Sequence, residues 1–303
     1  MSDRVLVIKH GALGDFILAT GPFAAIRAHH LGSHVVLLTT RPFAALADAS
    51  GYFNEVWVDE RPPLWRIGAV LGLRHRLNAG RFTHVYDLQT SDRSSFYFRL
   101  LRRPRPLWSG IARGASHPHA NPDRDRMHTL DRQREQLEMA GIVNVPPPNL
   151  DWLAADIGKF AAGDRYALLV PGGSAHRPGK RWPADRYAAL AGRLAARAIR
   201  PVLLGAGAEE GLLAEITAAC PGTLNLVGKT SFAEIAQLAR GAVAAIGNDT
   251  GPMHIIAAAG CRSLVLFSHG SDPKLCAPRS PNVTVLRRER LADLAVDEVT
   301  DAL

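Results

Sequence analysis

Short apolar runs alternate along this chain with longer stretches whose apolar residues recur every three or four positions. In the first half, residues 4–9 (RVLVIK), 34–39 (HVVLLT), 55–59 (EVWVD) and 84–88 (HVYDL) read as strands, and 15–30 reads as a helix. The second half repeats the scheme. Residues 166–172, 201–206, 224–228, 243–248 and 263–268 read as strands, with helices expected over 183–198, 208–219, 231–240 and 252–259. Strands that alternate with helices predict parallel sheets covered on both faces, whose strands must be apolar almost throughout. Three successive prolines in NVPPPNLDW, residues 144–152, cannot continue a helix and favour an extended linker. Two α/β domains are therefore expected, 1–150 and 151–303, each Rossmann-like, with a cleft between them.

Composition changes this picture little. A chain of 303 residues with 47% hydrophobic content can build two cores. It has no run long and apolar enough to span a membrane, and it opens on a strand-like segment without the features of a signal peptide. Cys220, Cys261 and Cys276 have neither metal-like nor disulfide-framework spacing. A reduced, cytoplasmic location is the expectation.

Charge changes it more. The net balance is +8, yet Arg61 to Arg113 alone holds eleven arginines against two acids, Asp87 and Asp92. The remainder is close to neutral. So local a basic stretch points to an anionic partner: nucleic acid, a membrane surface or a phosphorylated substrate. A solvated arginine-rich face is the plainer alternative.

In open α/β sheets ligands bind beyond the carboxyl ends of strands, so the places where strands hand over to loops carry the candidate chemistry. The first is HGALGD, where Gly11 and Gly14 permit tight turns and Asp15 sits near a helix start, as a cap, a first-turn acid or a base. The spacing is not the G-x-G-x-x-G of a dinucleotide site. The second is VPGGSAHRPGKRWP, with Gly172, Gly173, Ser174, Lys180 and Arg181. It fails as a P-loop, because five residues separate Gly173 from Gly179 and Arg181 stands where Ser or Thr would hold magnesium. A glycine-rich turn with a lysine still suits phosphate, and Pro183 is expected at the first helical position. The third is LLGAGAEE, whose Glu209 or Glu210 can accept from a ribose or merely favour a helix start. The fourth is AAIGNDTGPMHIIAAAG. There Asn248, Asp249 and Thr250 offer capping groups, and the N–H groups of Thr250 and Gly251 make an anion site within reach of His254.

In this order and combination, VLVIKHGALGDFILATGP, PGGSAHRPGKRWP, LLGAGAEE and GNDTGPMHIIAAAG resemble glycosyltransferase family 9, the ADP-heptose:lipopolysaccharide heptosyltransferases. The resemblance covers both halves of the chain. It implies a GT-B fold, two Rossmann-like domains with parallel sheets facing a central cleft. Residues 1–150 would bind the acceptor and 151–303 the nucleotide sugar. It implies inverting, metal-independent transfer of a heptose from ADP-heptose to the lipopolysaccharide inner core, with no cofactor required and no metal ligands. By resemblance Asp15 matches the catalytic base and Lys180 the lysine at the diphosphate. Gly14, Ser174, Thr250, Gly251 and His254 match donor-side positions, Asp249 would contact the donor sugar, and Glu209 or Glu210 would take the ribose. The basic stretch then meets an anionic acceptor through Arg61, Arg66, Arg74, Arg76 and residues 99–105, joined by Arg132 in MHTLDRQREQ. Peripheral contact with the inner membrane is also implied.

Other readings stay open on sequence alone. A GT-B enzyme with another nucleotide sugar or a protein acceptor fits the same pattern, because fold does not fix substrate. A basic nucleic-acid-binding protein fits the charge, but the chain lacks a recognisable RNA or DNA module, and no nucleic-acid partner is expected. A nicotinamide-dependent dehydrogenase fits the alternation and lacks the glycine fingerprint.

Overall fold

A computed structural model describes residues 3–173 and 178–303. The chain divides into two compact units, Met1–Pro148 and Asn149–Leu303. The first runs β1 (Arg4–Ile8), α1 (Leu13–Leu18), α2 (Thr20–His29), β2 (His34–Thr39), α3 (Arg41–Ala49), β3 (Glu55–Val58), α4 (Ile67–Ala79), β4 (His84–Asp87), α5 (Asp92–Leu100), β5 (Leu107–Gly110), β6 (His117–Pro118) and α6 (Thr129–Glu138). Its strands pair in the order β3-β2-β1-β4-β5-β6, and every pairing is parallel. The apolar run of β1 is buried from Val5 to Ile8 because both of its edges are paired, Val5 lying opposite Val35 and His84. Leu6, Ile8, Val36 and Leu38 pack on Leu77 of α4 and Tyr97 and Phe98 of α5. On α1, α2 and α3, Phe16 stacks on Phe43 and meets Phe23 edge-on.

The expected helix over 15–30 is two helices. Pro22 has no N–H to offer the carbonyl of Leu18, so the ladder breaks at Ala19. The Thr20 hydroxyl instead donates to the Ile17 carbonyl at 2.8 Å. A Cβ on Gly21 would fall on the carbonyl oxygen of Pro146, so glycine lets α2 lie directly against the proline-rich segment.

The second unit runs β7 (Tyr166–Val170), α7 (Ala184–Ala196), β8 (Arg200–Leu203), α8 (Glu210–Ala219), β9 (Leu224–Asn225), α9 (Phe232–Gly241), β10 (Ala244–Asn248), α10 (Gly251–Ala258), β11 (Ser263–Phe267), α11 (Pro273–Cys276), β12 (Val283–Arg287) and α12 (Val296–Asp301). Its sheet, also all parallel, is ordered β12-β11-β10-β7-β8-β9. Read from β9, this is the same order as in the first unit. Leu169, Leu203 and Ile246 pack with Trp182, Tyr187 and Leu190. Pro183 is the residue before α7 rather than its first, and its extended ψ of 148° starts the helix one position later than expected.

In both units strand order reverses at one place, between β1 and β4 and between β7 and β10. Neighbouring loops leave the sheet there in opposite directions and open a crevice at the carboxyl ends. The loops after β1, β4, β7 and β10 are the ones the sequence singles out or adjoin them. Among the described residues, no helix is long and apolar enough to cross a membrane.

Candidate functional site

In the first unit the chain leaves β1 through Lys9, His10 and Gly11. A Cβ on Gly11 would run into the Phe43 ring, and its φ of +119° is one that side-chain-bearing residues rarely adopt. Asp15 follows as the third residue of α1, after Ala12, which has no side chain able to cap the helix. Asp15 is half-buried. Among the described residues no donor lies within hydrogen-bond distance of its carboxylate, which leaves it an acceptor at a positive helix end.

Three further groups bear on the same place. Lys9 is buried and donates from Nζ to the Leu88 carbonyl at 3.2 Å. Burial lowers its pKa; the charges of Asp15 and Asp87 oppose that fall, and Arg132 on α6 adds to it. One amine therefore feels Asp15, Asp87 and Arg132 together. Beside it, His10 Nε2 lies 2.9 Å from Asp59 Oδ2, which also accepts from the Tyr97 hydroxyl at 2.5 Å. Asp59 Oδ1 accepts from the Arg61 N–H at 2.8 Å. Burial pulls the Asp59 carboxyl upward, but the hydrogen bonds from His10, Tyr97 and Arg61 together outweigh it and the net shift is down. This tie turns Arg61 into a pocket of about 550 Å³ lined also by His10, Gly11, Gln89 and Arg93. Arg66 is elsewhere. It precedes α4 and lines a separate depression with Pro62, Pro63 and Arg76.

In the second unit the loops after β7, β8 and β10 converge through side chains far apart in sequence. Asn248 is fully buried and works as a clasp. Its Oδ1 accepts from the Trp182 N–H at 3.0 Å and the Tyr187 hydroxyl at 3.1 Å, while Nδ2 donates to the carbonyls of Pro171 and Gly172. It is not the helix cap expected of it. Glu209 accepts from the Gly173 N–H at 2.7 Å and the Ala206 N–H at 2.8 Å, which joins two glycine-rich turns. A Cβ at Gly172 would land on that carboxylate. Glu210 points away as an exposed first residue of α8.

Lys180 Nζ donates to Asp249 Oδ2 at 2.9 Å, and the Ser271 hydroxyl donates to the same oxygen at 2.6 Å. Both charged side chains are mostly buried, 14% and 11% exposed, so their attraction is little screened. Asp249 therefore caps nothing. Thr250 occupies the cap position of α10 without a capping bond, its hydroxyl turned back to the Asn248 carbonyl at 3.2 Å. Among the described residues the N–H groups of Thr250 and Gly251 have no acceptor, the state of a helix end prepared for an anion. His254 is buried in the same helix. Ser174 lies outside the described residues.

Residues 70–300 match the family model for glycosyltransferase family 9 (heptosyltransferase). The chain belongs to that family. Lipopolysaccharide heptosyltransferase 2 of Escherichia coli K12 is 33% identical over 94% of this chain and 88% of its own length. Lipooligosaccharide heptosyltransferase 2 of Haemophilus influenzae is 34% identical over 130 residues, spanning 41% of this chain and 37% of that one. Among solved structures, a family 9 glycosyltransferase from Veillonella parvula superposes with a TM-score of 0.84 at 20% identity, covering 99% of this chain and 95% of that chain. An E. coli heptosyltransferase crystallised with ADP gives 0.76 at 22% identity over 98% of both chains. The two doubly wound sheets are thus those of a GT-B enzyme.

In this glycosyltransferase, Lys180, Asp249, Thr250 and Gly251 come together at the switch point of the second sheet, with Glu209 on the adjoining turn. Asp15, Gly14, Arg61 and Arg132 gather at that of the first. Sequence reasoning missed Lys9, the His10–Asp59–Tyr97 tie, Asp87 and Ser271, and it named Asn248 only as a cap. Lys9 and His10 stand in the motif quoted for Asp15, and two polar residues ending an apolar strand were a signal available there. Nothing local marks Ser271 or Tyr97, whose partners lie 22 and 38 residues away.

Proposed function

We propose that this family 9 enzyme transfers a heptose from ADP-heptose to the anionic inner core of lipopolysaccharide. On this reading residues 1–150 serve the acceptor and residues 151–303 the donor, and the enzyme works in the cytoplasm at the inner membrane. Asp15 takes the proton of the attacking acceptor hydroxyl, whose oxygen forms the new bond to the anomeric carbon. The bond from that carbon to the diphosphate oxygen breaks, and its electron pair leaves with ADP. Attack opposite the leaving group inverts the centre. Charge developing on the diphosphate is met by Lys180 and the N–H groups of Thr250 and Gly251, with His254 in the first turn of the same helix; Gly14 is assigned to the donor as well, and no metal is required. Asp249 holds Lys180 through one oxygen and keeps Oδ1 for a hydroxyl of the sugar. Glu209 retains lone pairs for the ribose. Arg61 and Arg132, with Arg66 further out, receive the acidic groups of the acceptor.

The observation that carries this reading is the buried Lys180–Asp249 pair beside the open end of α10, in a chain of this family. The test is calorimetric titration with ADP, ADP-heptose, UDP and UDP-glucose, followed by turnover with a lipopolysaccharide-derived acceptor. ADP compounds are expected to bind and UDP compounds not. Preference for UDP would move the enzyme to another donor. Asp15→Asn is expected to keep ADP affinity and lose about 100- to 10,000-fold in kcat, the usual worth of a general base. Unchanged turnover removes Asp15 from that role, and a retained anomeric configuration in the product removes the single-displacement scheme.

A further inference from the structure

Helix α4 is apolar on two sides. Val70, Leu73 and Leu77 pack into the core of the first unit. The flank beside that face carries Ile67 and Leu71, one turn apart, and the turn before the helix adds Leu64 and Trp65. These four side chains are 57%, 81%, 68% and 54% exposed in chain order. A helix in water ordinarily shows one apolar stripe to its core and polar residues outside. A second, contiguous stripe topped by an exposed tryptophan marks a contact surface.

The charge around the stripe says what it contacts. No acid occurs between residues 61 and 79, whereas Arg61, Arg66, Arg74 and Arg76 do. Leu64 also lines an adjoining pocket of about 490 Å³ in which Phe96 and Phe98 supply an apolar wall and Arg93, Arg99 and Arg113 outnumber the one acid, Asp92. Apolar side chains flanked by arginines match the two layers of an anionic bilayer, acyl chains beneath phosphate headgroups. A second copy of the chain would bring arginine against arginine.

We propose that Leu64, Trp65, Ile67 and Leu71 form a membrane-docking surface, entering the interface of an anionic bilayer while the surrounding arginines hold its phosphates. Tryptophan suits this depth because its ring is apolar and its N–H needs a polar neighbour. Each basic group near an anionic surface adds attraction that salt screens. That docking brings the enzyme to a lipid-borne acceptor rests on the function proposed above; docking itself does not.

The experiment is sedimentation of the full chain with vesicles of phosphatidylethanolamine containing about one third phosphatidylglycerol, set against vesicles of phosphatidylcholine alone. The wild type is expected to bind the anionic vesicles and not the neutral ones, and to lose most binding between about 0.1 and 0.5 M salt. A Trp65→Ser/Ile67→Ser/Leu71→Ser variant with an unchanged circular dichroism spectrum should bind about tenfold or more weakly, since the apolar anchor and the charge act together. Absence of the wild type from anionic vesicles overturns the proposal. So does equal binding by the variant, or a dimer in solution that the variant abolishes, which would give the face to a second copy. Turnover of a deacylated, water-soluble acceptor should be the same in wild type and variant. No transfer by either would sink the proposed function while leaving the vesicle result standing.

Discussion

Asp87 ends β4 with its side chain removed from water. Oδ1 accepts from the N–H groups of Gln89 and Thr90, at 3.1 and 3.0 Å. Burial still pushes the carboxyl up to about 6, against the opposing pull of those N–H groups, the Ser94 hydroxyl and His10. A raised acid holds its proton in the folded state after the unfolded chain has released it, so stability falls as pH rises from about 4 to 6. The loss is on the order of 3 kcal/mol. His30 works in the opposite sense over nearby pH, because burial and its neighbours His84 and His29 hold it near 4. The variant comparison separates the two. Denaturant titrations at pH 4.5 and 7 should show Asp87→Asn gaining about 2 kcal/mol more on the wild type at pH 7 than at pH 4.5. An equal offset at both pH values would mean that Asp87 does not titrate in this range. Nothing in HVYDL marks this carboxylate, since only burial distinguishes Asp87 from a surface acid.

At the scale of elements, local patterns were read correctly where they had a local cause. The strand over 34–39 needs only its apolar run, and the α9 start needs only Ser231 followed by Glu234 three positions on. That cap is complete: the Ser231 N–H donates to Glu234 at 2.7 Å, and the Glu234 N–H donates to the Ser231 hydroxyl at 3.3 Å. Hydrogen bonds from Lys159 and from the Ser231 N–H and hydroxyl, opposed by burial, bring Glu234 down to about 2. Ser231→Ala is expected to cost about 1 kcal/mol. A midpoint in urea indistinguishable from wild type would show that the α9 start holds without it. Elements with a tertiary cause were missed. β5 is a four-residue segment set among arginines and prolines, β6 has two residues, and β12 is a half-buried edge strand. Such segments become strands by pairing with a neighbour already in place, which no periodicity announces.

Over the whole molecule, two units repeat one topology with different chemistry at their switch points. The first presents carboxylates, Lys9 and arginines; the second presents an ion pair beside an open helix end. Ligand affinity should therefore be written unevenly into stability. On the proposed reading, ADP at about 100 times its Kd adds roughly 2.7 kcal/mol to whatever unfolding its site controls. Hydrogen exchange should show that protection in residues 149–303, around β7, β10 and α10, and Lys180→Ala should weaken it. Protection confined to residues 3–148 would place the nucleotide in the other unit.

The alternation of strands and helices, the proline break, the glycine turns and the positions of Asp15, Lys180 and Asp249 after strands were all legible in the sequence. Each depends on residues within a few positions of one another, through side-chain period, φ restriction and helix-end polarity. Tertiary structure alone decided the rest. Lys180 meets Asp249 across 69 positions, Asn248 clasps loops 66 and 77 residues away, and His10 finds Asp59 across a sheet. It decided that Asp87 is dry and that Trp65 is wet. Burial and pairing are set by which distant segments the sheet brings side by side, and a chain read one residue at a time carries no measure of that distance.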